Sequence, residues 1–199
     1  MKLLAAGLLI AFTISTCSAH AQVSRAGKWP DTMDLTFGFT TVHANAGPGK
    51  CGCYFMYGSD AQFEFNRRSG LGVLFDYSSV STTNINNSGH NVSLSTWLPG
   101  FRYDVPLPYA LRWGRNLDPY AHGLVGVSHT TTNFILDNQS TNLAYAGGGG
   151  VDFRLTRRFE ARLIQADYLI THVPNGANDR QNQLRLTAGL VFHLNRPGF

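Results

Sequence analysis

Gln183-Leu-Arg-Leu-Thr-Ala-Gly-Leu-Val-Phe-His-Leu194 is the stretch on which the fold turns. Taken alternately, Leu184, Leu186, Ala188, Leu190, Phe192 and Leu194 share one face. Gln183, Arg185, Thr187, Gly189 and His193 share the other, where Val191 is the only apolar side chain larger than a methyl. A period of two is the signature of a strand with one apolar and one polar face.

Working outward, the same alternation recurs along the chain. Leu35, Phe37 and Phe39 alternate with Asp34, Thr36, Gly38 and Thr40, and Ala61, Phe63 and Phe65 with Gln62, Glu64 and Asn66. Leu71, Val73, Phe75 and Tyr77 oppose Gly72, Leu74 and Asp76, and Phe101, Tyr103 and Val105 oppose Arg102 and Asp104. Tyr120 to His129 is Gly-rich and ambiguous in phase, with Ala121, Val125 and Val127 opposite His122 and Ser128. Ala144 to Arg154 ends with Val151 and Phe153 against Asp152 and Arg154, and Phe159, Ala161 and Leu163 oppose Glu160 and Arg162. That makes eight strands and no helical period. Pro99-Gly100 predicts a bulge that shifts the phase of the fourth strand. In the seventh, Tyr168 and Ile170 are out of phase with Leu163, so Asp167 shares a face with Leu163 unless the strand slips.

The connections alternate in length. They are short at Arg67–Gly70 and Leu155–Arg158, and long from His43 to Asp60, Ser78 to Asn91, Thr130 to Leu143 and His172 to Arg180. Pro106 to Asn116 is the exception, long where a short turn belongs. Short turns at one end and long loops at the other are the plan of an eight-stranded antiparallel up-and-down transmembrane β-barrel. Residues 1–21 read as a cleaved signal peptide, with Lys2, an apolar Leu3–Ile14 and an Ala19-His20-Ala21 cleavage site. Thr16 is too bulky to favour Cys17 as a lipoprotein acylation site. Residues 22–32 form a short N-terminal segment and 33–199 one barrel domain. No later apolar run is long enough for a spanning helix, so a membrane form must be a closed barrel.

An apolar strand face can point to lipid or to the interior of a soluble ligand-binding barrel. The three lysines, Lys2, Lys28 and Lys50, lie outside the strands, where a soluble barrel would need them. The polar faces carry Glu64, Asp76, Arg102, Asp104, His122, Asp152, Arg154, Glu160, Arg162 and Arg185, a near-balanced set suited to pairing in a confined lumen. Side chains just fill a barrel of this size, which argues against a general diffusion pore. Phe65, Tyr103, Trp113, Tyr120, Phe153, Phe159 and Phe192 are placed to form an interfacial girdle.

Arg162-Leu-Ile-Gln-Ala-Asp-Tyr168, Asn175-Gly-Ala-Asn-Asp-Arg-Gln-Asn182 and Arg185-Leu-Thr-Ala-Gly-Leu-Val-Phe192 resemble the OmpA-like outer-membrane β-barrel domain family, in a branch of the acidobacterial kind. The likeness extends more loosely over the mature chain, including Cys51-Gly-Cys53-Tyr-Phe and Gly100-Phe-Arg-Tyr103. It implies the bacterial outer membrane, with its lipids and the barrel-assembly machinery as partners. Thr187, Gly189, Phe192 and Leu194 resemble the terminal signal that this machinery reads, although Pro197 separates Phe199 from the last strand.

Little points to chemistry. Cys51 and Cys53 are placed for a tight loop disulfide or for free thiols, and two thiols are too few for a metal site. The formal charge of +4 is no nucleic-acid footprint. Ala146–Gly150 lacks the Lys-Ser/Thr and the helix of a phosphate loop, so no nucleotide or other cofactor is implied. Ser128-His129 lacks an identifiable orienting acid. The leading reading is a non-enzymatic barrel with a structural or surface-interaction role through its long loops, whose ligand is unknown. The alternatives are an enzyme on lipid A or phospholipid centred on His129 or His90, and a narrow gated channel. Arg67, Arg68, Arg112, Arg115, Arg157, Arg158 and Arg196 fall at the short-turn end, a basic rim for phospholipid phosphates or periplasmic partners.

Overall fold

A computed structural model describes residues 32–44, 54–66, 70–83, 85, 89, 91–106, 116–133, 139–172 and 180–195. Eight strands run in sequence: β1 Thr32–Ala44, β2 Tyr54–Asn66, β3 Leu71–Thr82, β4 Val92–Asp104, β5 Leu117–Thr132, β6 Gln139–Arg154, β7 Phe159–Thr171 and β8 Gln181–His193. Each pairs antiparallel with its neighbours, and β8 closes on β1. The closure has a stagger. Following partners from Asp34 through Glu64, Leu74, Gly100, Leu124, Ala146, Leu169 and Gln183 leads back to Ala44, ten residues further along β1. That offset tilts the strands by about 40° and leaves an interior that side chains fill.

The period of two sorts the wall. Outside stand large apolar groups such as Phe39 and Phe101, 61% and 63% exposed. Among the described residues, no outward position on any strand carries Asp, Glu, Lys or Arg. Phe65, Tyr103, Phe153, Phe159 and Phe192 ring the short-turn end, and Tyr57, Tyr77, Trp97, Tyr145 and Tyr168 the long-loop end. Eight steps of chain separate Phe65 from Tyr57 and Phe153 from Tyr145. That is about 26 Å along the strand and about 20 Å along the barrel axis once the tilt is included, which with the rings themselves is on the scale of the ~25 Å apolar band of an outer-membrane barrel. Trp113 lies outside the described residues.

Three expectations are corrected or settled. Pro99-Gly100 makes no bulge: Leu98, Gly100 and Arg102 stay in phase, and the β3–β4 register runs unbroken from Leu71↔Tyr103 to Thr82↔Val92. Pro99 faces outward, where its ring meets lipid. The irregularity is in β7. Leu163 and Ile164 both point outward, at 51% and 50% exposure, and the register slips by one residue there against both neighbours. This bulge returns Gln165 and Asp167 to the inside. Tyr120 is not a girdle residue; it is buried in the lumen at 4% exposure.

The strands also run further toward the loops than the alternation suggested. Their outward residues there are Ser79, Ser81, Ser93, Ser95, Thr131 and Thr141, so both faces lose their contrast beyond the apolar band. Inside, that end is filled by an apolar cluster that includes Val42, Met56, Val80, Leu94, Leu98, Ala144 and Leu169.

Candidate functional site

The side chains singled out from the sequence meet inside the barrel, in three connected layers. Nearest the short turns, the Asp34 carboxylate accepts from Thr32 Oγ1 at 3.0 Å and Asn66 Nδ2 at 3.1 Å. His193 bridges two acids, with Nδ1 2.5 Å from Asp34 and Nε2 2.9 Å from Glu160. Arg154 reaches Glu160 at 3.4 Å and Asp118 at 2.5 Å. Strand ends place these groups, and Asp118 and Arg154 keep partial access to solvent.

The middle layer is a closed ring of alternating charge. Arg102 donates to Glu64 at 2.7 Å and to Asp152 at 3.0 Å, and Arg162 donates to the same two carboxylates at 2.9 Å each. Arg102 also holds Asp104 at 3.0 Å. The Tyr120 ring lies beneath both cations, 3.7 Å from the Arg102 Cζ and 4.9 Å from that of Arg162. Such stacking suits guanidinium, which is flat and weakly hydrated. Tyr120 donates to Gln165 Oε1 at 2.8 Å, and Arg162 donates to Gln165 and to Gln62.

Above it, Arg185 is wholly buried. It forks onto Asp76 at 2.8 and 3.0 Å, reaches Asp167 at 2.7 Å and donates to Ser78 at 3.2 Å. Asp167 also lies 2.7 Å from His122 Nε2. Gln62 joins this layer to the ring by donating to Asp76 at 2.8 Å. Glycines make the room: a Cβ on Gly148 would stand 2.4 Å from an Asp167 oxygen, and one on Gly150 2.6 Å from the Tyr120 hydroxyl. The network ends at the Ser78–Thr96 contact of 2.8 Å, under the apolar cluster.

All ten lumen candidates read from the sequence face inward, although Asp104 and Arg154 are only half-buried. The near-balance of charge needs correction. Asp34, Asp60, Asp118 and Asp167 also face in, so among the described residues nine carboxylates meet four guanidiniums and two imidazoles. Asp60 is the extreme case, with neither oxygen hydrogen-bonded and Arg185 3.8 Å away. Asp167 was obscured by the β7 bulge, and Asp60 by the weak alternation of Gly58 and Ser59. The neutral linkers Gln62 and Gln165 carried no signal beyond their phase.

Of the terminal-signal residues, Thr187 and Gly189 point inward, with Thr187 donating to Thr40 Oγ1 at 2.9 Å, while Phe192 and Leu194 lie on the outside. Ser128 is buried and donates to the Asn142 carbonyl at 3.3 Å, whereas the adjacent His129 faces outward beside Thr141, so the two are not a dyad. Cys51, Cys53, His90 and Lys50 lie outside the described residues, as do Arg67, Arg68, Arg112, Arg115 and Arg196. Arg157 and Arg158 are exposed in the β6–β7 turn. Among the described residues no cluster of His, Cys, Asp or Glu has the geometry of a metal site.

The family model described as outer membrane protein beta-barrel domain matches residues 8–192. No curated protein matches the sequence. Among solved structures, Neisserial surface protein A, NspA, superposes with a TM-score of 0.61 at 12% identity, over 81% of this chain and 97% of its own. Ail, the attachment invasion locus protein of Yersinia pestis, gives 0.54 at 15% identity, over 82% and 100%. OprG from Pseudomonas aeruginosa gives 0.51 at 13% identity, over 85% and 99%.

Proposed function

Since this chain belongs to the outer membrane protein β-barrel domain family and resides in the bacterial outer membrane, we propose that it acts there as a closed, non-catalytic barrel that braces the envelope and carries its long loops outside the cell. The observation that carries this reading is the filled lumen. A continuous polar network occupies the half near the short turns, and an apolar cluster occupies the half near the long loops. An ion entering from the periplasm would meet paired charges and then a filled section in which the apolar cluster is interleaved with neutral groups such as Thr96, Ser128, Thr171 and Gln183, with little to replace its hydration. A charge-paired interior also ties all eight strands together across the barrel.

The lipids around the apolar band are the barrel's immediate partners, and the terminal residues Thr187, Gly189, Phe192 and Leu194 serve its recognition by the assembly machinery. The exposed Arg157 and Arg158 belong to the basic rim facing inner-leaflet phosphates.

Planar-bilayer recordings on the refolded protein test the closed lumen, and stable ohmic steps would refute it. Lipid A and phospholipid profiles should be unchanged in cells overproducing the protein; a new lipid product would instead establish an enzyme. Replacing the long loops with short Gly-Ser turns separates the two remaining roles. If envelope resistance to detergent survives the replacement, the barrel wall braces the membrane, and if it is lost, the loops do.

A further inference from the structure

Among the described residues, each layer of the lumen sets three carboxylates against two basic side chains. In the lowest layer Asp34, Asp118 and Glu160 face Arg154 and His193. In the ring Glu64, Asp104 and Asp152 face Arg102 and Arg162. In the layer above, Asp60, Asp76 and Asp167 face Arg185 and His122. Even with both imidazoles counted as cations, one negative charge is left over in each. Solvent can balance it in the two lower layers, because the Asp118 and Asp104 side chains keep partial access to water. The upper layer has no such outlet, since all five of its charged or basic side chains are wholly buried.

The surplus is local to Asp60. Arg185 directs its short contacts to Asp76 and Asp167 and stands 3.8 Å from Asp60, neither of whose oxygens accepts a hydrogen bond. On the adjacent strand, Thr36 is also buried, and its Oγ1 has no partner. Asp60 lies opposite Gly38 in the β1–β2 register, Gly38 lies opposite Gly189 in β1–β8, and Thr36 is the next inward residue of β1. The wall between the two unpartnered groups is therefore bare of side chains. Strand packing keeps it so: a Cβ on Gly189 would stand 2.3 Å from the Phe37 carbonyl oxygen, and one on Gly38 2.8 Å from that of Ala188. Gln62, the register partner of Thr36, has its amide engaged with Asp76 and Arg162.

We propose that Asp60 and Thr36 bind one dehydrated alkali cation, which neutralises the surplus charge of the upper layer. Diagonal neighbours across an antiparallel pair have Cβ atoms about 7–8 Å apart. A cation of the radius shared by sodium and calcium, about 2.4 Å from each oxygen, bridges the two side chains across that gap. A carboxylate buried without a partner is costly, so an ion held by the folded barrel and not by the unfolded chain stabilises the fold. A surplus of one charge matches a monovalent ion. A divalent one needs more carboxylates, and among the described residues no cluster of His, Cys, Asp or Glu has the geometry to hold it. The site follows from the number and burial of the charges alone, whether or not the barrel braces the envelope.

The test unfolds the full barrel in urea from phosphatidylcholine vesicles at about pH 8. Sodium chloride is replaced stepwise by choline chloride at constant ionic strength, so that screening stays fixed. Above the dissociation constant, the folded-to-unfolded ratio should rise about tenfold for each tenfold rise in sodium, the slope of one bound ion. Asp60→Asn should abolish the slope, and in choline it should match or exceed the native stability. Thr36→Val should move the rise to higher sodium, and Asp104→Asn, at the wet end of the lumen, should leave it intact. If Asp60→Asn does not fold, the native slope and Thr36→Val decide. Equal midpoints in sodium and choline overturn the proposal, as does a slope that persists in Asp60→Asn or ignores Thr36→Val. A midpoint that responds to acid but not to sodium means that Asp60 holds a proton instead, and overturns it too. So does a response to magnesium without one to sodium.

Discussion

Replacing Arg162 with leucine probes the ring where it is densest. Arg162 is 1% exposed and contributes half of the cationic contacts to Glu64 and Asp152, each of which it holds at 2.9 Å. Leucine removes those contacts and leaves two buried carboxylates sharing Arg102 alone. Breaking a buried pair by deleting one partner costs about 3–5 kcal/mol, since the remaining charge stays desolvated. Here the cost should fall near the lower figure, because Arg102 still reaches both acids at 2.7 and 3.0 Å. About 3 kcal/mol corresponds to roughly a hundredfold or more in the folding equilibrium. Reversible urea unfolding in vesicles, read by tryptophan fluorescence and by gel mobility, measures it. A double-mutant cycle with Glu64→Leu then isolates the pair, and its coupling should lie within about 0.5–3 kcal/mol, with the double variant recovering part of the loss. If Arg162→Leu costs less than about 1 kcal/mol, or the cycle shows strict additivity, the ring is not a cooperative unit.

Three further outcomes follow from the same geometry. Asp76→Asn should destabilise the barrel by about 2 kcal/mol or more because Asp76 is forked by Arg185, whereas Asp60→Asn should be near neutral or stabilising, since neither Asp60 oxygen is hydrogen-bonded; urea midpoints in choline chloride compare them, and equal losses would contradict the assignment. Gly148→Ala should cost about 1–3 kcal/mol through its clash with Asp167 and the Ala166 carbonyl, while Gly147→Ala, whose added Cβ meets nothing within 4 Å, should change stability by less than about 0.5 kcal/mol. Deleting Ile164 should be tolerated, because β7 then alternates regularly with the same residues inside, whereas deleting Ala188 in the regular β8 should block folding; retention of heat-modifiable migration distinguishes them.

The composition of the wall was legible in the amino-acid order because a strand's side chains alternate strictly. Once Leu184 to Leu194 is set facing lipid, Arg185 and His193 can only face in. Eight runs and alternating connection lengths were enough for a small antiparallel barrel, and the absence of strand lysines, the arginine–carboxylate set and the family resemblance together oriented it. The signal faded where an outward residue no longer had to be apolar, so the strands past Ser79, Ser95 and Thr131 read as loop. It also failed at Tyr120, whose amphipathic ring suits a girdle or a cation stack equally well.

What the sequence determined by itself is therefore which residues share a face, a local property of backbone geometry. Which of them meet was decided by closure. The ten-residue stagger brings Glu64, Arg102, Asp152 and Arg162 from four strands to one height, and the β7 bulge turns Asp167 toward Arg185. Stagger and bulge are properties of how strands pair around the whole barrel, and no single strand's sequence contains them.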